Sequence, residues 1–157
     1  MTTAGIILAA GKGTRLNCTD QPKVMLEIGE RPIVCYIVET LKQAGFTKDQ
    51  ICLVIGFQEQ KVRDYFSNKV SYMTQEEQLG TAHAAHIGIK SLPKEIETVL
   101  VMGGDDSAFY TKKTLLNFIK KHNENNCTLS LLSAEIEDPT MLGRIVRYTD
   151  KSIAIVE

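Results

Sequence analysis

The run Leu8-Ala9-Ala10-Gly11-Lys12-Gly13-Thr14-Arg15, joined after a short gap by Pro22-Lys23, places two glycines and a set of cations directly behind a strand-like apolar stretch, Ala4 to Leu8. Without a Cβ, Gly11 and Gly13 let the backbone come close to a ligand, and its N–H groups can cradle phosphate oxygens. Lys12, Arg15 and Lys23 supply the countercharge. A strand that feeds a glycine-rich, basic loop is suited to holding a polyphosphate, so nucleotide chemistry is the leading reading. Two familiar phosphate loops do not apply. No stretch supplies four residues between a glycine and Gly-Lys-Ser/Thr, and the dinucleotide fingerprint would need a small residue at position 16, which is Leu16. An ordinary strand-to-loop turn accounts for Gly-x-Gly alone far better than for the full run with Arg15 and Pro22-Lys23.

Two further segments carry chemistry. Gln75-Glu76-Glu77-Gln78-Leu79-Gly80-Thr81-Ala82-His83 follows a short strand and opens a helix. A glutamine side chain offers both a donor and an acceptor and can read the edge of a pyrimidine. Gly80 permits close backbone contact, and Thr81 is placed to cap the helix; an ordinary polar cap is the competing reading. Met102-Gly103-Gly104-Asp105-Asp106 ends a buried strand. Adjacent carboxylates there are costly unless paired, and Mg²⁺ would pair them. Alternatively, one of them caps the helix near Thr111 or sits in a turn. His83 and His86, three apart, read as core or helix-surface histidines, and Cys18 has no base paired to it.

The elements that must position these residues alternate. Strands are expected at about 4–9, 51–55, 70–73, 98–102 and 127–134, and helices at about 33–44, 59–66, 81–91 and 111–122. Val34, Ile37, Val38 and Leu41 form one helical stripe, with Pro32 suited to its first turn and Gly45 just past its end. Leu115, Leu116 and Ile119 are expected to face inward from the last helix. Near-continuous apolar strands are those of a sheet covered on both faces. The pattern predicts an α/β fold: a Rossmann-like, doubly wound, mostly parallel sheet in a three-layer sandwich. Residues 145–148 and 153–156 read as a C-terminal β-hairpin around a polar turn. In such a sheet the three loop segments meet at the carboxyl ends of the strands.

Bulk properties narrow the partners. A chain of 157 residues with formal net charge −1 suits one domain and gives no support for nucleic acid or a membrane surface as partner. The pairs Lys112-Lys113 and Lys120-Lys121 read as a solvated helix face. Four cysteines without CxxC spacing argue against a disulfide framework or zinc site and for a reducing cytoplasm, with Cys35 and Cys52 as small core residues. No apolar run approaches the roughly 18 residues of a membrane span.

These segments together resemble the nucleotidyltransferase family that makes nucleotide sugars from sugar 1-phosphates, and within it the pyrophosphorylase domains of N-acetylglucosamine-1-phosphate uridylyltransferases. The matching residues are Leu8 to Arg15, Pro22-Lys23-Val24, Gln75 with Gln78-Leu79-Gly80-Thr81-Ala82-His83, Gly104-Asp105, Gly143-Arg144-Ile145 and Ile155-Val156-Glu157, in the family's order and at similar spacing. The resemblance implies a domain spanning 1–157 and continuing beyond Glu157, where a further metal ligand would lie. It implies that the backbone of Leu8, Ala9, Ala10 and Gly11 lies beside uracil and ribose, with Gly13 and Thr14 completing the loop. Arg15 and Lys23 would hold triphosphate and transition-state charge, and Gln75 with the backbone at Gly80 would read the uracil of UTP, with Thr81 beside them. Gly143 and Glu157 would contact the sugar. Asp105 would ligate Mg²⁺; counting from the strand selects Asp105, and counting back from the following helix selects Asp106 as the alternate. The departure is Asp106-Ser107-Ala108-Phe109-Tyr110, where the family places an apolar residue and then Pro or Leu.

The reaction implied is attack by a sugar 1-phosphate oxygen on the α-phosphorus of the triphosphate, with release of pyrophosphate. Its nucleophile is already anionic, so no general base is required. A non-catalytic sensor or subunit that binds a nucleotide or sugar nucleotide is the alternative. An NAD-type oxidoreductase is disfavoured by Leu16.

Overall fold

A computed structural model describes residues 2–13, 16, 18–140, 142–150 and 152–156. They fall into two compact units, Met1–Cys127 and Thr128–Glu157. In the first, β1 (Thr3–Ala9) leads through a short antiparallel pair, β2 (Glu27–Ile28) and β3 (Arg31–Pro32), into α1 (Ile33–Gln43). Then follow β4 (Ile51–Ile55), α2 (Glu59–Phe66), β5 (Ser71–Thr74), α3 (Thr81–Lys90), β6 (Thr98–Gly103) and α4 (Lys112–Glu124). The four long strands make a parallel sheet in the order β5-β4-β1-β6. The chain winds outward from β1 through β4 to β5 and then returns to the opposite side of β1. That reversal opens a crevice at the carboxyl ends of the strands.

The period-two alternation of the strands sorts two cores. Ile7, Ala9, Ile51, Leu53 and Ile55 pack with the α1 stripe, with Val62 and Phe66 of α2 and with Leu115 of α4. Ile6, Cys52 and Val54 point the other way and meet Ala84 of α3. Helices thus cover both faces, the Rossmann-like three-layer arrangement expected. All four residues of the α1 stripe are buried. Past the end of α1, Phe46 N–H reaches Leu41 O (3.1 Å) and Gly45 N–H reaches Lys42 O (3.0 Å), the paired bonds of a Schellman closure. Cys35 and Cys52 are buried and free, and burial pushes both thiols up. No helix among the described residues is long and apolar enough to cross a membrane.

Several expectations are corrected. Pro32 ends β3 and precedes α1 rather than occupying its first turn. Leu116 is 39 % exposed; the inward partners of Leu115 on α4 are Phe118 and Ile119. Val101, on the edge strand β6, is 42 % exposed, so the sheet is not covered on both faces there.

The second unit contains the hairpin β7 (Arg144–Arg147) and β8 (Ile153–Val156), paired antiparallel from Arg144↔Val156 to Arg147↔Ile153. At its turn the Asp150 carboxylate accepts from Ser152 N–H (2.9 Å) and Ser152 Oγ–H (2.6 Å), which holds its pKa below the usual carboxylate range. The strand expected at 127–134 does not form, and Leu129, Leu131 and Leu132 are exposed. Apolar content is not enough for a strand: a ladder needs a paired neighbour, and among the described residues β7 and β8 pair only with each other.

Candidate functional site

At the carboxyl ends of β1, β5 and β6 lies a cavity of about 470 Å³. Leu8, Ala10 and Gly11 line it from β1 and its loop. Gln75, Gln78, Gly80, Thr81 and Ala84 line it from the β5–α3 segment, and Gly103, Asp105 and Asp106 from the end of β6. No Cβ placed on Gly11 would meet another atom within 4 Å, so this loop borders open space.

Lys23 is delivered by its neighbours. Pro22 and Val24 are buried, and Lys23–Met25 forms a short 3-10 turn, so the lysine between them projects outward. Val24 seats against Gly104, where a Cβ would stand 2.8 Å from Val24 Cγ1 and 3.1 Å from Leu8 O. Only the missing side chain lets the β6 end approach that closely. The consequence is an ion pair between Lys23 Nζ and Asp105, with side chains 43 % and 30 % exposed. Asp106 folds its carboxylate back over Gly103. Ser107, 1 % exposed, donates its hydroxyl to Gly103 O and closes the turn from within. Neither aspartate caps the following helix, because Thr111 Oγ1 takes the Thr114 N–H (3.1 Å).

On the facing wall the groups are neutral. Gln75 is 5 % exposed, and its N–H extends the ladder to Ile55 O (2.7 Å). Its side-chain Nε2 donates to Gly80 O (3.2 Å) and lies 3.1 Å from His83 Nδ1. Gln78 Nε2 donates to Ala10 O (2.7 Å), which ties this segment to the first loop. Gly80 precedes α3 at φ 96°, ψ −178°, a conformation essentially reserved for glycine. No side chain caps α3; Thr81 is its first residue and lines the cavity instead of capping. The free amides of that first turn make the helix start the positive end of a dipole.

The structure therefore brings Leu8, Ala10, Gly11, Gln75, Gly80, Thr81, Asp105 and Asp106 together, with Lys23 joined through Asp105. Ala9 is buried in the sheet, and Gly13 packs beside Lys23 and Cys18. Thr14, Arg15 and Glu157 lie outside the described residues. Gly143 lines a cavity of about 920 Å³ within the second unit. Sequence reasoning missed Ser107 as a structural part of the site and, although it placed His83 in a matching segment, read it as a core or helix-surface histidine with no link to Gln75. Neither contact carries a local signal; only the turn and the helix bring them in.

A family comparison adds what geometry alone does not. Residues 4–157 match the model of the nucleotidyl transferases. The chain belongs to the nucleotidyl transferase family. Among curated proteins, this nucleotidyl transferase is 40 % identical over 154 residues to the bifunctional protein GlmU of Carboxydothermus hydrogenoformans, covering 98 % of this chain and 33 % of that one. It is 37 % identical over 142 residues to the bifunctional protein GlmU of Heliobacterium modesticaldum, covering 90 % of this chain and 30 % of the relative. The chain thus spans about a third of the length of these relatives. Its fold is shared with 4-diphosphocytidyl-2C-methyl-D-erythritol synthase from Anaerococcus prevotii (TM-score 0.66, 18 % identity, 99 % of this chain and 64 % of that one). A manganese complex of Rv0371c from Mycobacterium tuberculosis is also similar (TM-score 0.62, 21 % identity, 76 % and 59 % covered).

Proposed function

We propose that residues 1–157 form a nucleotidyltransferase domain that transfers UMP from UTP to a sugar 1-phosphate, foremost N-acetylglucosamine 1-phosphate, with release of pyrophosphate. The observation that carries the reading is the cavity at the sheet's switch point, with a hydrogen-bonded amide wall on one side and Asp105 and Asp106 on the other, Lys23 paired to Asp105. The resemblance of the sequence motifs to N-acetylglucosamine-1-phosphate uridylyltransferases makes a uridylyl donor and an amino-sugar acceptor the first substrates to try.

In this proposal the glycine loop and the start of α3 present N–H groups to phosphate, and Gln75 and Gly80 meet the base. Lys23, with Arg15, holds charge that grows at the α-phosphorus, and the acceptor phosphate needs only to be oriented. The donor set suits Mg²⁺: Asp105 and Asp106 are hard oxygen ligands on one cavity wall. No group of three or more His, Cys, Asp or Glu side chains gathers among the described residues, so phosphate and water would fill the rest of the shell, as is usual for Mg²⁺. When bound, the ion would neutralise phosphate charge and polarise the reacting phosphoryl group. The manganese complex of Rv0371c supports a divalent cation in this fold.

The test mixes the full chain with UTP, Mg²⁺ and N-acetylglucosamine 1-phosphate and follows pyrophosphate. Release that depends on all three supports the transferase. Nucleotide binding without release under any sugar phosphate leaves a binding subunit, and absence of nucleotide binding rejects both.

A further inference from the structure

Gln75 is buried yet lines the cavity, and its amide is held from two sides. Nε2 donates to Gly80 O and faces His83 Nδ1. A backbone carbonyl can only accept, so the amide nitrogen must point to Gly80 and the oxygen away from it. The second N–H then meets Nδ1, which must carry a lone pair, placing the ring proton of His83 on Nε2. The Gly80 carbonyl also takes the Ala84 N–H (3.1 Å) at the first turn of α3, so both anchors are fixed to that helix. With its two amide hydrogens committed, Gln75 has only Oε1 left for a ligand.

A group that can only accept discriminates between bases. Uracil presents a ring N–H between its two carbonyls; cytosine presents a bare ring nitrogen at that position, lone pair against lone pair. An amide free to turn over would offer its NH₂ to cytosine and lose the distinction. We propose that His83 is a positioning residue: it locks the amide of Gln75 with its oxygen toward the ligand and thereby sets a preference for a base with a ring imide N–H over cytosine. This rests on the reading of the cavity as a nucleotide site.

The experiment measures UTP and CTP affinities by calorimetry with Mg²⁺, for the full chain and for His83→Asn and His83→Leu. The Asn side chain keeps an acceptor oxygen where Nδ1 sits; the Leu side chain fills space without one. The parent and His83→Asn are expected to prefer UTP, and His83→Leu to lose about tenfold of that preference, the scale of one hydrogen bond. Retention of the full preference in His83→Leu overturns the proposal, as does equal loss in both variants, which would make volume the cause. Absence of any nucleotide binding by the parent rejects the nucleotide reading itself, and this proposal falls with it. Nitrogen-15 NMR of the histidine rings in the ligand-free protein tests the geometry without relying on a variant. A bare Nδ1 on His83 is expected, and a protonated one overturns the assignment.

Discussion

The two walls of the cavity rest on different physics. On the β5–α3 side a 5 %-exposed glutamine is fixed by neutral hydrogen bonds to Gly80 and His83. On the β6 side Lys23 and Asp105 neutralise each other with side chains 43 % and 30 % exposed. Leaving a buried amide group unpaired costs about 1–3 kcal/mol, whereas an exposed ion pair contributes about 0–1 kcal/mol. The amide wall therefore resists rearrangement, and the charged wall gives way to an arriving anion or cation at little cost. On the proposed function, base recognition would be built in before the ligand comes, and the charges would be held in reserve, each by the other, until phosphate took the lysine and metal the aspartate.

The sharpest way to break this comparison is to remove the cation. Lys23→Ala is expected to lower turnover by about 10²–10³, on the scale of a lost transition-state donor of roughly 3–4 kcal/mol, with circular dichroism unchanged. The UTP-over-CTP preference should survive, because it belongs to the other wall. Near-normal pyrophosphate release in this variant would remove Lys23 from the chemistry.

How much of this could be read from residues alone follows the same division. Helix and strand positions were legible wherever one periodicity ran unbroken: the α1 stripe, the buried strand Ile51–Ile55 and the hairpin that begins at Arg144 all lie where apolar spacing puts them. Proximity of the Gly11, Gln75 and Asp105 segments followed from parallel strands ending on one side. What local pattern does not carry is which side chain satisfies which. Thr81 has the composition of a cap, yet Gly80 holds that position with no side-chain bond. The partners of Lys23 and of Gln75 depend on how Val24 seats on Gly104 and on where α3 begins, both tertiary facts. Residues 128–134 have a strand's composition and no ladder to join.

A second test separates packing from ligand contact with two glycines. Gly104→Ala forces a methyl against Val24 and the Leu8 carbonyl. It should destabilise by about 1–3 kcal/mol, and in a domain of this size each kcal/mol lowers the melting temperature by about 2–4 °C. Gly11→Ala meets nothing within 4 Å. Its stability should stay within the range of ordinary surface changes, about 0.5 kcal/mol, while nucleotide affinity falls. The reverse ordering in thermal denaturation would mean that the β6 end is not seated as described.

Asp105→Asn should change the ligand-free protein less than Gly104→Ala does. Losing an exposed pair costs at most about 1 kcal/mol in denaturant titration. The same variant is expected to lose the gain in UTP affinity that Mg²⁺ gives the parent. A Mg²⁺ effect that persists in Asp105→Asn but vanishes in Asp106→Asn would transfer the ligand role to the second aspartate.

Ionic strength sharpens the comparison without any substitution. Between about 0.1 M and 1 M salt the screening length shrinks from about 10 Å to about 3 Å, so half-exposed charges lose most of their reach while short neutral hydrogen bonds lose little. UTP and CTP carry the same triphosphate and should weaken together as salt rises. If their affinity ratio is set at Gln75, as proposed, it should move by less than about twofold, the residue of unscreened short-range contacts. Competition titrations at several salt concentrations read both quantities at once. A ratio that collapses in step with affinity would mean that the charged wall, rather than the amide wall, chooses the base.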